Sequence, residues 1–104
     1  MLSRKLIVAM MFILMLAAGS VQAGGDAARG AELAVDCADC HGDDGMGDED
    51  IPGIAGMDAA KHAKALADFK SGAVESEDMV DYVEDLSEQD MADLAAYFAT
   101  LPGG

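Results

Sequence analysis

Cys37-Ala38-Asp39-Cys40-His41 constrains this chain more than any other stretch, because it holds both of its cysteines and one of its two histidines. Two thiols three positions apart, with an imidazole directly after them, form the pattern that attaches a c-type haem. The thiols add across the two haem vinyl groups, and one short turn spans both. The imidazole then lies under the iron as its proximal ligand. Three other readings compete. A Cys-x-x-Cys pair also serves as a redox dithiol, but usually within a βαβ pattern, and no strand pattern runs through this sequence. Zinc takes four ligands, and the other histidine, His62, lies far along a different segment. A disulfide with a chance histidine neighbour is the remaining reading.

Residues 1–23 read as a secretory signal peptide. Arg4 and Lys5 supply its positive start, and Leu6 to Ala18 is an unbroken apolar run. Val21-Gln22-Ala23 then fits small-x-small cleavage before Gly24. The run falls short of the roughly 20 apolar residues that span a bilayer, so no stable membrane insertion is expected after cleavage. Covalent haem attachment needs reduced thiols and takes place outside the bacterial cytoplasm. Leader and motif therefore point together to the periplasm.

Residues 24–104 are then enough for one small domain, whose thin core needs a staple. Covalent haem supplies one. All 20 acidic residues follow the leader, where Arg29, Lys61, Lys64 and Lys70 are the only lysines and arginines, giving a net charge of −16. Nucleic acid is excluded as a partner, since phosphate binding needs basic patches. A basic protein surface is the natural complement, with encounter steered by long-range attraction; acidity that serves only solubility or a saline habitat is the equal alternative.

Hydrophobic periodicity predicts an all-α chain of about four short helices. The first runs from an Asp26 cap to Val35, with Gly30 letting another helix approach closely. Gly42 to Gly56 is a glycine-rich acidic loop. A second helix runs from an Asp58 cap to about Lys70, stopped at Ser71-Gly72. Its apolar side holds Ala59, His62, Ala63, Leu66 and Phe69, with His62 expected to be partly exposed. A short helix follows around Val80 to Leu86. Ser87-Glu88-Gln89-Asp90 resembles a capping box that opens the last helix, which continues to about Leu101 on a stripe of Met91, Leu94, Ala95, Phe98 and Leu101.

A methionine opposite the histidine gives a low-spin haem suited to shuttling electrons. Met46 follows His41 too closely to cross to the other face, and Met91 falls on a core stripe. Met79 lies in an irregular acidic stretch far enough along to wrap round the haem, and is the candidate ligand. Met57 is next.

The chain from about Asp26 to Leu101 resembles the small class I bacterial cytochromes c. It looks closest to relatives of di-haem cytochromes and of the haem subunit of flavocytochrome c sulfide dehydrogenase. The matching stretches are Cys37-Ala38-Asp39-Cys40-His41-Gly42, Ile51-Pro52-Gly53-Ile54-Ala55-Gly56, Asp68-Phe69-Lys70-Ser71-Gly72 and Leu86 to Phe98. The resemblance implies a small cytochrome c fold, its helices wrapped around one covalently attached haem c. It also implies that the Pro52 carbonyl accepts a hydrogen bond from His41, that Ile54 packs on the proximal haem face, and that Gly30 and Tyr97 mark a close helix crossing. Met79 matches the distal ligand. Two features depart from the pattern: Tyr82 stands where some relatives carry a second methionine, and no proline precedes Met79. A single haem motif means that the di-haem architecture does not carry over.

Together these features imply a periplasmic electron carrier rather than an enzyme. Its expected partners are basic redox proteins, a donor reductase or flavoprotein and an acceptor oxidase, met transiently. The alternative is a haem subunit of a periplasmic oxidoreductase such as flavocytochrome c sulfide dehydrogenase. An open-site gas sensor or peroxidase is a third class.

Overall fold

The computed structural model describes residues 24–103, so the leader expected over 1–23 lies outside the described residues. Five helices follow one another: α1 Ala27–Leu33, α2 Val35–His41, α3 Ala59–Ser71, α4 Glu77–Val83 and α5 Glu88–Ala99. No strand occurs among the described residues.

Most of the helix starts follow local chemistry. The Asp26 carboxylate accepts from the N–H groups of Ala28 and Arg29, covering donors that a helix start leaves unpaired. Asp58 does the same for Lys61. Gly72, at φ +84°, closes α3 in the left-handed conformation that its sequence position suggested. Ser87 and Asp90 form the expected reciprocal capping box at α5.

Two elements differ from expectation. The first predicted helix is broken at Ala34, and the haem motif forms a separate helix, α2, ended by Gly42 at φ +88°. This raises the expected four helices to five. The helix expected around Val80–Leu86 instead starts at Glu77. The Ser76 hydroxyl accepts from the Met79 N–H, 3.2 Å away. Glu77 and Asp78 then place negative charge on the first turn, where the helix dipole favours it. Met79 is therefore helical and not in an irregular stretch.

The helices close on one another through α5, which packs against α1 and α3, while α4 packs on α3. Ala34, Leu66, Val83, Met91, Leu94 and Phe98 form the buried apolar cluster. The α1–α5 crossing is tight because Gly30 has no side chain. A Cβ there would fall 2.0 Å from the Asp93 carbonyl oxygen and 2.8 Å from Tyr97 Cβ. The implied closeness of Gly30 and Tyr97 is thus present.

Asp93 seals the same crossing. It is only 1% exposed, yet its carboxylate accepts from the Asp26 N–H at 2.7 Å, Arg29 Nη1 at 2.7 Å and Gln89 Nε2 at 2.8 Å. Arg29 also pairs with Asp90 at 2.6 Å. The Asp26 N–H bond, followed by the Arg29 and Gln89 bonds, holds the Asp93 carboxyl below the usual carboxylate range against the opposing effect of burial. A buried carboxylate satisfied this way is a polar staple rather than a cost.

Two outcomes follow. Gly30→Ala should force α1 away from α5 and lower unfolding stability by about 1–3 kcal/mol, the usual cost of overpacking, read by denaturant titration of the holoprotein. The depressed Asp93 carboxyl contributes stability that is present above the ordinary carboxylate range and is lost as pH falls through its folded-state value. Acid unfolding of Asp93→Asn should accordingly show a shallower fall below about pH 4, from a lower plateau at neutral pH.

Candidate haem site

The motif's spacing acquires meaning on α2. Cys37, Cys40 and His41 fall at positions i, i+3 and i+4, which share one helix face. That face borders a cavity of about 460 Å³ enclosed by α2, α3, α4, α5 and the loop after α2. The volume lies in the range of sites for small molecules and cofactors. Cys37 is half-buried and Cys40 exposed, and no disulfide joins them. Burial, reinforced by the Asp36 charge, pushes the Cys37 thiol up.

His41 is buried, and its Nδ1 lies 2.8 Å from the Pro52 carbonyl oxygen. A carbonyl only accepts, so Nδ1 carries the proton and the Nε2 lone pair is left for a metal. The hydrogen bond implied for Pro52 is therefore present. Residues 42–56 are shaped to deliver it. The Gly47 N–H donates to the His41 carbonyl at 2.7 Å, and the N–H groups of Ile54 and Ala55 both donate to the Gly45 carbonyl. Asp48 accepts from the N–H groups of Ile51 and Asp50, which hold its carboxyl below the usual range. Gly47 is required here: at φ +69°, a Cβ would stand 2.2 Å from the Ile51 carbonyl oxygen.

Ile54 and Met79 line the same cavity, and so does Met57. Met46 is exposed and Met91 is buried in the core, and neither lines it. The apolar wall comes mainly from Leu66, Phe69, Leu94 and Phe98. Tyr82, 41% exposed, stands beside Cys40 at the rim.

His62 departs from expectation. Expected to be partly exposed, it is 4% exposed, lines the cavity and packs on Phe98 with ring centroids 5.4 Å apart. Burial first, then the neighbouring His41, hold its basicity below the ordinary value. The signal was in the sequence, since His62 shares a helical face with Leu66 and Phe69. The usual surface preference of histidine outweighed it.

A haem fits this donor set. Two thiols and an oriented imidazole share one face, thioether sulfurs lie elsewhere on the wall, and the lining between them is apolar. Among the described residues, no group of three or more His, Cys, Asp or Glu side chains is disposed to hold a metal ion by itself.

The fold and site together define an all-α protein whose cavity brings two thiols and an imidazole to one largely apolar wall. Comparison with known proteins gives that class its name. Residues 27–102 match the cytochrome c family, and the chain belongs to it. It is 39% identical to cytochrome c4 of Pseudomonas aeruginosa over 97 residues, covering 92% of this chain and 48% of that protein. It is 38% identical over 89 residues to cytochrome c-554(547) of Halothiobacillus neapolitanus, covering 74% of this chain and 98% of that one. The cytochrome subunit of sulfide dehydrogenase from Chlorobaculum tepidum is 36% identical over 73 residues, with 70% of this chain and 66% of that subunit covered. The crystal structure of reduced recombinant cytochrome c4 from Pseudomonas stutzeri superposes with a TM-score of 0.73 at 32% identity, over 77% of this chain and 47% of that one. The chain thus spans about half the length of the cytochrome c4 relatives it matches. Membership implies covalently bound haem c and electron transfer through it.

Proposed function

We propose that the protein is a periplasmic electron carrier with one haem c, attached through Cys37 and Cys40, ligated by His41 and closed on its other face by Met79. The observation that carries this reading is the single cavity onto which all four side chains open, with His41 already oriented by Pro52. The presence of only two cysteines supports one haem. When bound, haem supplies a one-electron couple between ferric and ferrous iron.

The protein's part is to hold that group still. The Pro52 carbonyl fixes the His41 tautomer and ring angle and raises its basicity, as such outer partners do at metal sites. The rigid ligand set keeps reorganisation small when an electron moves. Ile54, Leu66, Phe69, Leu94 and Phe98 exclude water. Met79 is favoured over Met57 because α4 ties it into a helix packed on α3. Met57 instead lies three residues after Ile54, on the loop that anchors His41.

Periplasmic placement rests on the leader. No helix among the described residues is long and apolar enough to cross a membrane. The carrier reading is also supported by the likeness to cytochrome c-554(547) over nearly that protein's whole length. A second reading, a haem subunit bound to an oxidoreductase, is favoured by the likeness to the sulfide dehydrogenase subunit. Native mass measurement on protein purified from its host separates the two: a stoichiometric flavoprotein would establish the second.

In the oxidised holoprotein, Met79→Ala should abolish the near-infrared-edge absorption band of methionine-bound ferric haem, while Met57→Ala keeps it. The reverse result would move the ligand to Met57. With a net charge of −16 over residues 24–104, the partner should be a cationic redox protein met transiently. Its electron-exchange rate, followed by stopped flow, should fall steeply between low and physiological ionic strength. A flat salt profile would remove electrostatic steering.

A further inference from the structure

The described polar network leaves one buried side-chain atom without a hydrogen-bond partner, Nδ1 of His62. The ring is 4% exposed and lines the haem cavity. Burying an unpaired imidazole nitrogen costs free energy, so such a group marks a place where something else completes the bonding.

The cavity wall narrows what that is. It carries three carboxylates, Asp36, Asp50 and Asp78, and no lysine or arginine. The other hydroxyl and imidazole groups on it have separate positions or duties. The Ser76 oxygen accepts from the Met79 N–H, Tyr82 stands at the exposed rim, and His41 is anchored to Pro52. The lysines and arginine outside the wall are mostly engaged. Arg29 pairs with Asp90 and Asp93, Lys64 with Asp68, and Lys70 with the Leu86 carbonyl.

Haem brings one kind of hydrogen-bonding group into this setting, its two propionates. A propionate inside a wall of like charge needs a donor, and a buried donor needs an acceptor. Direct ligation of iron by His62 fits less well. His62 packs on Phe98, whose carbonyl accepts from the Gly56 N–H and whose ring lies against Gly45. This is the side of the loop that anchors His41.

We infer that His62 is a positioning residue that donates a ring N–H to a haem propionate, holding the cofactor by its polar edge while α2 holds it covalently. The inference rests on the haem reading above. A reduced-minus-oxidised visible spectrum of the same sample reports haem attachment separately, so the two can fail independently.

The test is resonance Raman spectroscopy of the holoprotein. His62→Leu fills the space without a donor and should shift the propionate bending mode while the methionine–iron band stays. His62→Gln restores a donor and should move the mode back toward the parent value. An unshifted mode in His62→Leu with haem attached would overturn the inference. Should His62→Leu fail to take up haem, ¹⁵N-histidine NMR of the unaltered holoprotein decides. An exchange-protected His62 ring N–H close to propionate methylene protons supports the assignment. A freely exchanging ring, or one with the shift of an iron ligand, rules it out.

Discussion

The hydrogen bond from His41 Nδ1 to the Pro52 carbonyl ties the chemistry of this molecule to its fold. It needs the loop after α2 to fold back over eleven residues, and that loop is held by its own backbone bonds and by glycines where a side chain would collide. Once the imidazole is fixed, the free nitrogen, both thiols of α2 and the apolar wall share one cavity. The remaining helices enclose what this bond orients. The α5 helix closes against α1 and α3, and α4 brings Met79 to the same space.

Polar groups do different work in the two halves of the structure. At the α1–α5 crossing, Asp93 is buried and satisfied three times over by groups from both helices. In the cavity, His62 is buried and its Nδ1 has no partner within the described chain. The first arrangement is complete in the polypeptide, so it serves stability. The second is incomplete among the described residues, which is why it speaks about the cofactor.

Much of this was legible in the sequence wherever local chemistry decides. Asp26, Asp58, Ser87 with Asp90, and Gly72 mark helix ends through bonds to neighbours a few residues away, and each acts as read. The i, i+3, i+4 spacing of Cys37, Cys40 and His41 fixes a shared face once the segment is helical. What could not be read depends on distant partners. Asp93 looks like any solvated helix carboxylate until α1 is laid across it. The early start of α4 turns on one serine hydroxyl reaching the Met79 N–H, against an acidic run that gives little hydrophobic periodicity. His62 lay on the expected apolar face, but histidine's surface preference pointed the other way, and only packing against Phe98 decides.

The spacing of contacts along the chain also orders how the molecule can assemble. The His41–Pro52 bond closes a segment of 11 residues, whereas the Asp26–Asp93 bond that joins the first and last helices closes one of 67. The longer loop costs about 1.6 kcal/mol more in chain entropy. The motif and its proximal loop are therefore a local unit that a nascent, unfolded chain forms cheaply. Clasping α5 over α1 must await nearly the whole sequence. A polypeptide made N-terminus first exposes both thiols and the histidine well before the helix that will finally shut them in.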